Sequence, residues 1–105
     1  MKPGQLTDAE IQIALTQVSG WNLEGRELVK TFSFSSYLAG IDFVSRLAHA
    51  AEAMNHHPDL FIGWRKVSVR LSTHGIGGLT QLDFSLASQA DALMGNQGTT
   101  SPEPV

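Results

Sequence analysis

The residues in this chain best suited to chemistry are its histidines. His56 and His57 stand together ahead of Pro58, and His74 follows Thr73 at the head of a glycine-rich stretch. Functional groups gather at such element ends and loops, where a rigid scaffold presents them. Three imidazoles can do one of two things. They can hold a zinc ion with an open coordination position. Or they can move protons, because an unperturbed imidazole gives and takes a proton near neutral pH. Neighbouring side chains on a regular helix point about 100° apart, which works against both ligating one metal. The HEXXH arrangement is absent, so proton transfer is the expectation and no metal is assigned. The plainer alternative makes His56 and His57 a polar helix end, where a protonated ring complements the helix dipole, and His74 a strand-end loop residue.

Other polar and aromatic residues gather around these positions. Glu52 precedes His56 by one helical turn and can orient that ring, with an ordinary exposed i, i+4 pair as the alternative. Asp83 falls at the third position of the last helix, where its default role is capping and dipole compensation. His49 lies inside the long helix beside Ala48 and is read as structural or solvated. Trp64 packs in the core or lines a pocket edge, where its ring offers apolar area to a flat heterocycle. Trp21 is assigned to the core. Gly75, Gly77 and Gly78 lack the Lys and Ser/Thr of a phosphate loop and are read as satisfying positive φ at a strand-to-helix connection.

The elements that must hold these residues carry plain signals. Thr7 and Glu10 form a capping box, with Leu6 and Ile11 placed as a hydrophobic staple. Ile11, Ala14, Leu15 and Val18 predict a helix over 8–18, stopped by Gly20. Trp21–Leu23 and Glu27–Phe34 read as a hairpin through Glu24-Gly25. Ser35 and Ser36 can cap a helix from Tyr37 to Met54 whose apolar face is Tyr37, Ile41, Val44, Ala48 and Ala51, widened by Leu38, Leu47 and Met54. Pro58 ends it near Asn55. Phe61–Trp64 is a short strand candidate, and Arg65–Ser72 alternates with Val67, Val69 and Leu71 on one face. Thr80 and Asp83 form a second box-like cap, followed by Leu82, Leu86, Ala90 and Leu93 at helical spacing. The order α-β-β-α-β-β-α predicts an α+β fold, an antiparallel sheet covered on one face by helices.

With 105 residues, the chain suits one domain. The expected domain is 1–94, and 95–105 reads as a flexible C-terminal tail of Gly, Asn, Thr, Ser, Pro and Glu. Seven Lys+Arg against ten Asp+Glu give a net charge of −3, leaving no basic surplus for nucleic acid. No cysteine is present, which excludes disulfides, thiolate metal sites and a cysteine nucleophile. No stretch approaches a membrane span and the N-terminus is not read as a signal peptide, so the expected location is the cytoplasm. A domain this small buries only about 60–65% of its unfolded surface, which makes self-association a reasonable source of further burial.

A longer pattern joins these pieces. Ala51-Glu52-Ala53-Met54-Asn55-His56-His57-Pro58-Asp59, Lys66-Val67, Leu71-Ser72-Thr73-His74, Gly78-Leu79-Thr80, Asp83 and Leu86-Ala87 closely resemble pterin-4a-carbinolamine dehydratase. The resemblance runs from about Leu6 to Leu93. It implies a four-stranded antiparallel sheet with three helices on one face, in subunits that pair into homodimers or homotetramers. It implies loss of water from a 4a-hydroxytetrahydropterin to give quinonoid dihydropterin, which recycles the pterin of aromatic amino-acid hydroxylases. No metal or redox cofactor is implied. His56, His57 and His74 match the family's active-site histidines, and Glu52 and Asp83 match acidic residues of the site region. On this reading His57 chiefly binds substrate, with Glu52, Asp83 and Trp64 beside it, while His56 and His74 handle protons. Ala53 stands where a basic residue is common and Leu60 where an aromatic is common. Relatives of the fold also act as dimerisation cofactors for a transcription factor or as assembly chaperones, so a protein partner is the competing expectation.

Overall fold

The computed structural model describes residues 2–98. Helix α1 spans Asp8–Leu15. It opens on the capping box: the Glu10 amide donates to Thr7 Oγ1 at 3.1 Å and the Thr7 amide to Glu10 Oε1 at 2.8 Å. The helix stops three residues short of the predicted end, because the chain tightens: the Thr16 amide and hydroxyl both donate to the Ile13 carbonyl. Strands β1 (Asn22–Glu24) and β2 (Glu27–Ser33) form the expected hairpin, with Gly25 at φ +62° in its turn. Helix α2 (Tyr37–Met54), strands β3 (Asp59–Ile62) and β4 (Lys66–Leu71), and helix α3 (Gln81–Gly98) complete the order. The predicted strand at 61–64 therefore starts earlier, leaving Trp64 in the β3–β4 turn. Helix α3 continues past the last apolar repeat at Leu93, and residues 99–105 of the expected tail lie outside the described residues.

The four strands form one antiparallel sheet in the order β1-β2-β4-β3. In the β2–β4 register Leu28 faces Leu71, Lys30 faces Val69 and Phe32 faces Val67. Partners directly opposite one another share a face, so this face carries the apolar set. Helices α2 and α3 cover it with Phe43, Leu47, Ala51, Leu86, Ala87 and Ala90, which together with the strand residues make one core. The alternate residues Thr31, Ser68, Lys66 and Arg70 face the other way, where the Arg70 guanidinium donates to Glu24 and Glu27. Those two carboxylates raise the Arg70 pKa above its ordinary value.

The buried face of α2 keeps Leu47 and Ala51 of the predicted apolar set but is rotated away from Tyr37, Leu38 and Ala48. Gly40, Phe43, Leu47 and Ala51 point inward, while Tyr37 is 49% and Leu38 73% exposed. The helix is apolar on more than one side, so periodicity alone leaves its rotation open. Phe43 decides it, packing its ring 4.8 Å from Phe32 and 5.3 Å from Phe34. Gly40 lets the helix approach the sheet, since a Cβ there would lie 3.4 Å from Phe34 and 3.5 Å from Val67. In α3 Leu86 and Ala90 of the predicted repeat are buried, while Leu82 is exposed and Asp83 and Ala87 also turn inward. Trp21 is in the core as expected, its Nε1 donating to Asp91 at 3.1 Å.

Candidate active site

Helix α2 ends in a way that aims one of its two terminal histidines inward. Asn55 takes the left-handed conformation, φ 51° and ψ 44°. The His56 amide then donates to the Ala51 carbonyl at 3.0 Å and the Asn55 amide to Glu52 at 3.1 Å. This six-to-one and five-to-two pairing is a Schellman closure, with asparagine in the position glycine usually fills. The reversal sends the His56 ring under the helix, where it is 7% exposed. His57, held ahead of Pro58, stays on the surface.

The buried ring meets a fully buried carboxylate. His56 Nε2 lies 2.6 Å from Asp83 Oδ1. The other oxygen, Oδ2, accepts from the Thr73 hydroxyl at 2.8 Å and from the Thr80 amide at 2.9 Å. Asp83 has no exposed surface, and a buried carboxylate is tolerated when donors occupy its lone pairs. Here the His56 ring, the Thr73 hydroxyl and the Thr80 amide supply them. The Thr80 amide bond is one half of the predicted box-like cap, but the reciprocal bond is shifted by one residue: Thr80 Oγ1 accepts from the Leu82 amide at 3.3 Å, while the Asp83 amide donates to the Thr80 carbonyl. One carboxylate thus caps α3 and holds His56.

The geometry assigns the proton on His56. A carboxylate only accepts, so Nε2 is the protonated nitrogen. The second nitrogen, Nδ1, makes no hydrogen bond among the described residues and is the one free to take or give a proton. An aspartate opposite the far nitrogen fixes the tautomer and stabilises the imidazolium when it forms.

The other expected site residues are placed as follows. Glu52 pairs with His57 through Oε2 and Nε2, and not with His56 as the i, i+4 spacing suggests. The left-handed turn at Asn55 is the cause, since it takes His56 out of helical phase and brings His57 over Glu52. Both members of that pair are exposed. His74 is exposed, one residue beyond Thr73, on the loop closed by the Thr73–Gly78 bridge. His49 is exposed on α2. Trp64, 72% exposed under the Arg65 guanidinium at 4.7 Å, lies in the β3–β4 turn. That turn is at the opposite end of β4 from His74, a strand of about 20 Å at roughly 3.3 Å per residue. Within one chain Trp64 is therefore not brought to the histidine corner. Among the described residues no three His, Cys, Asp or Glu side chains converge in a metal-holding arrangement.

Thr73 and Thr80 were not legible as site residues. The Thr80-x-x-Asp83 cap was visible, but nothing local indicates that Asp83 would share its second oxygen with Thr73. That contact depends on β4 ending beside the first turn of α3.

The fold is an α+β protein, a helix-covered antiparallel sheet with a buried histidine–carboxylate pair where α2, β4 and α3 meet. A family model described as pterin 4 alpha carbinolamine dehydratase matches residues 4–93. The chain belongs to the pterin-4a-carbinolamine dehydratase family. A relative from Roseiflexus sp., named "Putative pterin-4-alpha-carbinolamine dehydratase", is 50% identical over 86% of this chain and 97% of its own length. A relative of the same name from Mycobacterium tuberculosis is 43% identical over 86% of this chain and 96% of its own. Among solved structures, a transcriptional coactivator/pterin dehydratase from Brucella melitensis superposes with a TM-score of 0.82 at 33% identity, covering 85% of this chain and 97% of that one. A pterin dehydratase-like protein identified as a RuBisCO assembly factor in the alpha-carboxysome gives 0.61 at 27% identity, covering 70% and 88%.

Proposed function

We propose that this protein is a 4a-hydroxytetrahydrobiopterin dehydratase that works by histidine general acid–base catalysis in tetrahydrobiopterin recycling. The observation that carries the reading is the buried His56–Asp83 pair, which leaves one imidazole nitrogen free beside segments bearing His57 and His74. In the reaction the hydroxyl on C4a leaves with a proton as water, N5 loses its proton, and the N5 electron pair forms the C=N bond of quinonoid dihydropterin. His56 is suited to one of these transfers and His74 to the other, each worth about 10²–10⁴-fold. The exposed His57, oriented by Glu52, is assigned to binding the pterin. The reading includes a cytoplasmic location. Self-association into dimers or tetramers is also part of it, since the edge strand β3 leaves Phe61 and Ile62 exposed. Trp64 joins the site only if a second copy brings it there.

The test is absorbance-monitored dehydration of freshly made 4a-hydroxytetrahydropterin. Wild type is expected to accelerate it, and the His56→Ala, His74→Ala double variant to lose at least about a hundredfold. Equal rates for the two proteins refute the proposal. The second reading is an assembly factor or dimerisation cofactor, favoured by the likeness to the alpha-carboxysome protein. A stoichiometric protein partner together with no turnover would select it.

A further inference from the structure

We propose that Thr73 is a positioning residue that couples the two proton-handling histidines. The inference deepens the dehydratase reading and rests on it for its kinetic consequence, but not for its structural one. The hydroxyl of Thr73 donates to Asp83 Oδ2 at 2.8 Å and lies 2.8 Å from Thr80 Oγ1. A threonine hydroxyl has one proton. Since the carboxylate can only accept, that proton is spent on Asp83, and Thr80 must donate to Thr73. Thr80 Oγ1 in turn accepts from the Leu82 amide. The bonds therefore run one way, from the first turn of α3 through Thr80 and Thr73 to Asp83, and end at the carboxylate that orients His56.

The backbone of the same residue holds the loop that carries His74. The Thr73 amide donates to the Gly78 carbonyl at 2.9 Å, and the Thr73 carbonyl accepts from Ile76 and Gly77, each at 3.0 Å. Thr73 therefore fixes the carboxylate behind His56 with its side chain and the base of the His74 loop with its main chain. A valine in its place has the same shape and keeps the backbone bonds. Among the described residues it removes the only side-chain donor to Oδ2 and leaves the Thr80 amide as the remaining donor there. It also leaves the Thr80 hydroxyl without its acceptor.

The experiment compares wild type with Thr73→Val, Thr73→Ser and, as a control, Thr31→Val, which breaks a hydroxyl pair with Ser68 elsewhere on the sheet. Two quantities are read: the solvent exchange rate of the His56 Nε2 proton by NMR, and kcat and KM for dehydration. Thr73→Val is expected to speed exchange about tenfold and lower kcat about tenfold with KM within twofold. Thr73→Ser is expected to restore both, and Thr31→Val to change neither by more than twofold. Thr73→Cys, which lacks the γ-methyl and offers only a weak S–H donor, carries the same prediction at reduced size should the valine variant not fold. Unchanged exchange in Thr73→Val, or failure of serine to restore it, overturns the proposal. If the wild type shows no turnover, the dehydratase reading fails and the exchange measurement alone still decides what Thr73 does.

Discussion

Asp83 combines two demands in one carboxylate. Its Oδ2 serves the helix start and Oδ1 serves His56, so its negative charge is enclosed by donors on both sides. The consequence is testable with a neutral isostere. In Asp83→Asn the amide oxygen keeps the bonds from Thr73 and the Thr80 amide, which turns the NH₂ toward His56. The ring must then accept on Nε2 and carry its proton on Nδ1. Nitrogen-15 spectra should show this inverted tautomer, and on the proposed mechanism turnover should fall at least about a hundredfold because Nδ1 then carries the proton. A ring that stays protonated on Nε2 would show that Asp83 does not set the tautomer.

At the scale of elements, the end of α2 separates two adjacent histidines. Spacing along a helix treats His56 and His57 as near-equivalents about 100° apart. The left-handed residue between them and the helix breaks that relation, burying one and exposing the other. Asn55 occupies a conformation that glycine adopts freely and a β-branched residue resists. Asn55→Gly is expected to change stability by less than about 0.5 kcal/mol, while Asn55→Val should cost about 1–2 kcal/mol. Urea unfolding measures both, and equal midpoints would mean that the turn is not under conformational selection. Elements as such were readable beforehand: the helix N-caps, the hairpin turn and the alternation of β4 are local patterns. What was not readable was the rotation of α2, because Tyr37, Leu38, Ile41 and Val44 offer a second apolar stripe. The aromatic contacts of Phe43 select between them.

Across the whole molecule, the site corner is braced from the far end of the chain. The Leu6 amide donates to the Leu79 carbonyl at 2.9 Å, Lys2 Nζ to Gly75 at 3.0 Å and Arg26 Nη1 to Gly77 at 3.0 Å. The loop bearing His74 is thus held by the N-terminal segment and the β1–β2 turn. A second long-range tie lies at Lys30, which sits on the helix-covered face of the sheet. Its Nζ donates to the Ser19 carbonyl at 2.7 Å and to Asp91 Oδ1 at 2.8 Å, and lies 5.0 Å from the Phe32 ring centroid. The group joins the α1–β1 connection, the sheet and α3. Asp91→Ala should cost about 1–3 kcal/mol, less than for a fully buried pair because a quarter of each side chain meets solvent. Adding Lys30→Met should cost less than the two single effects summed, by at least about 0.5 kcal/mol, since the orphaned ammonium is then gone. Strict additivity in a urea double-mutant cycle would show that the pair is not coupled.

The amino-acid order by itself determined the succession of elements, their caps and which residue types could handle protons, because those properties depend on neighbours within a few positions. It also carried the family pattern. Only the tertiary structure decided that His56 pairs with Asp83, that Glu52 pairs with His57, that Thr73 joins the network and that Trp64 lies elsewhere. Each of those contacts bridges separate elements or turns on a single left-handed residue. Side-chain chemistry is local, but the pairing of partners is set by how helices rotate and where strands end, and those are settled by packing of the core.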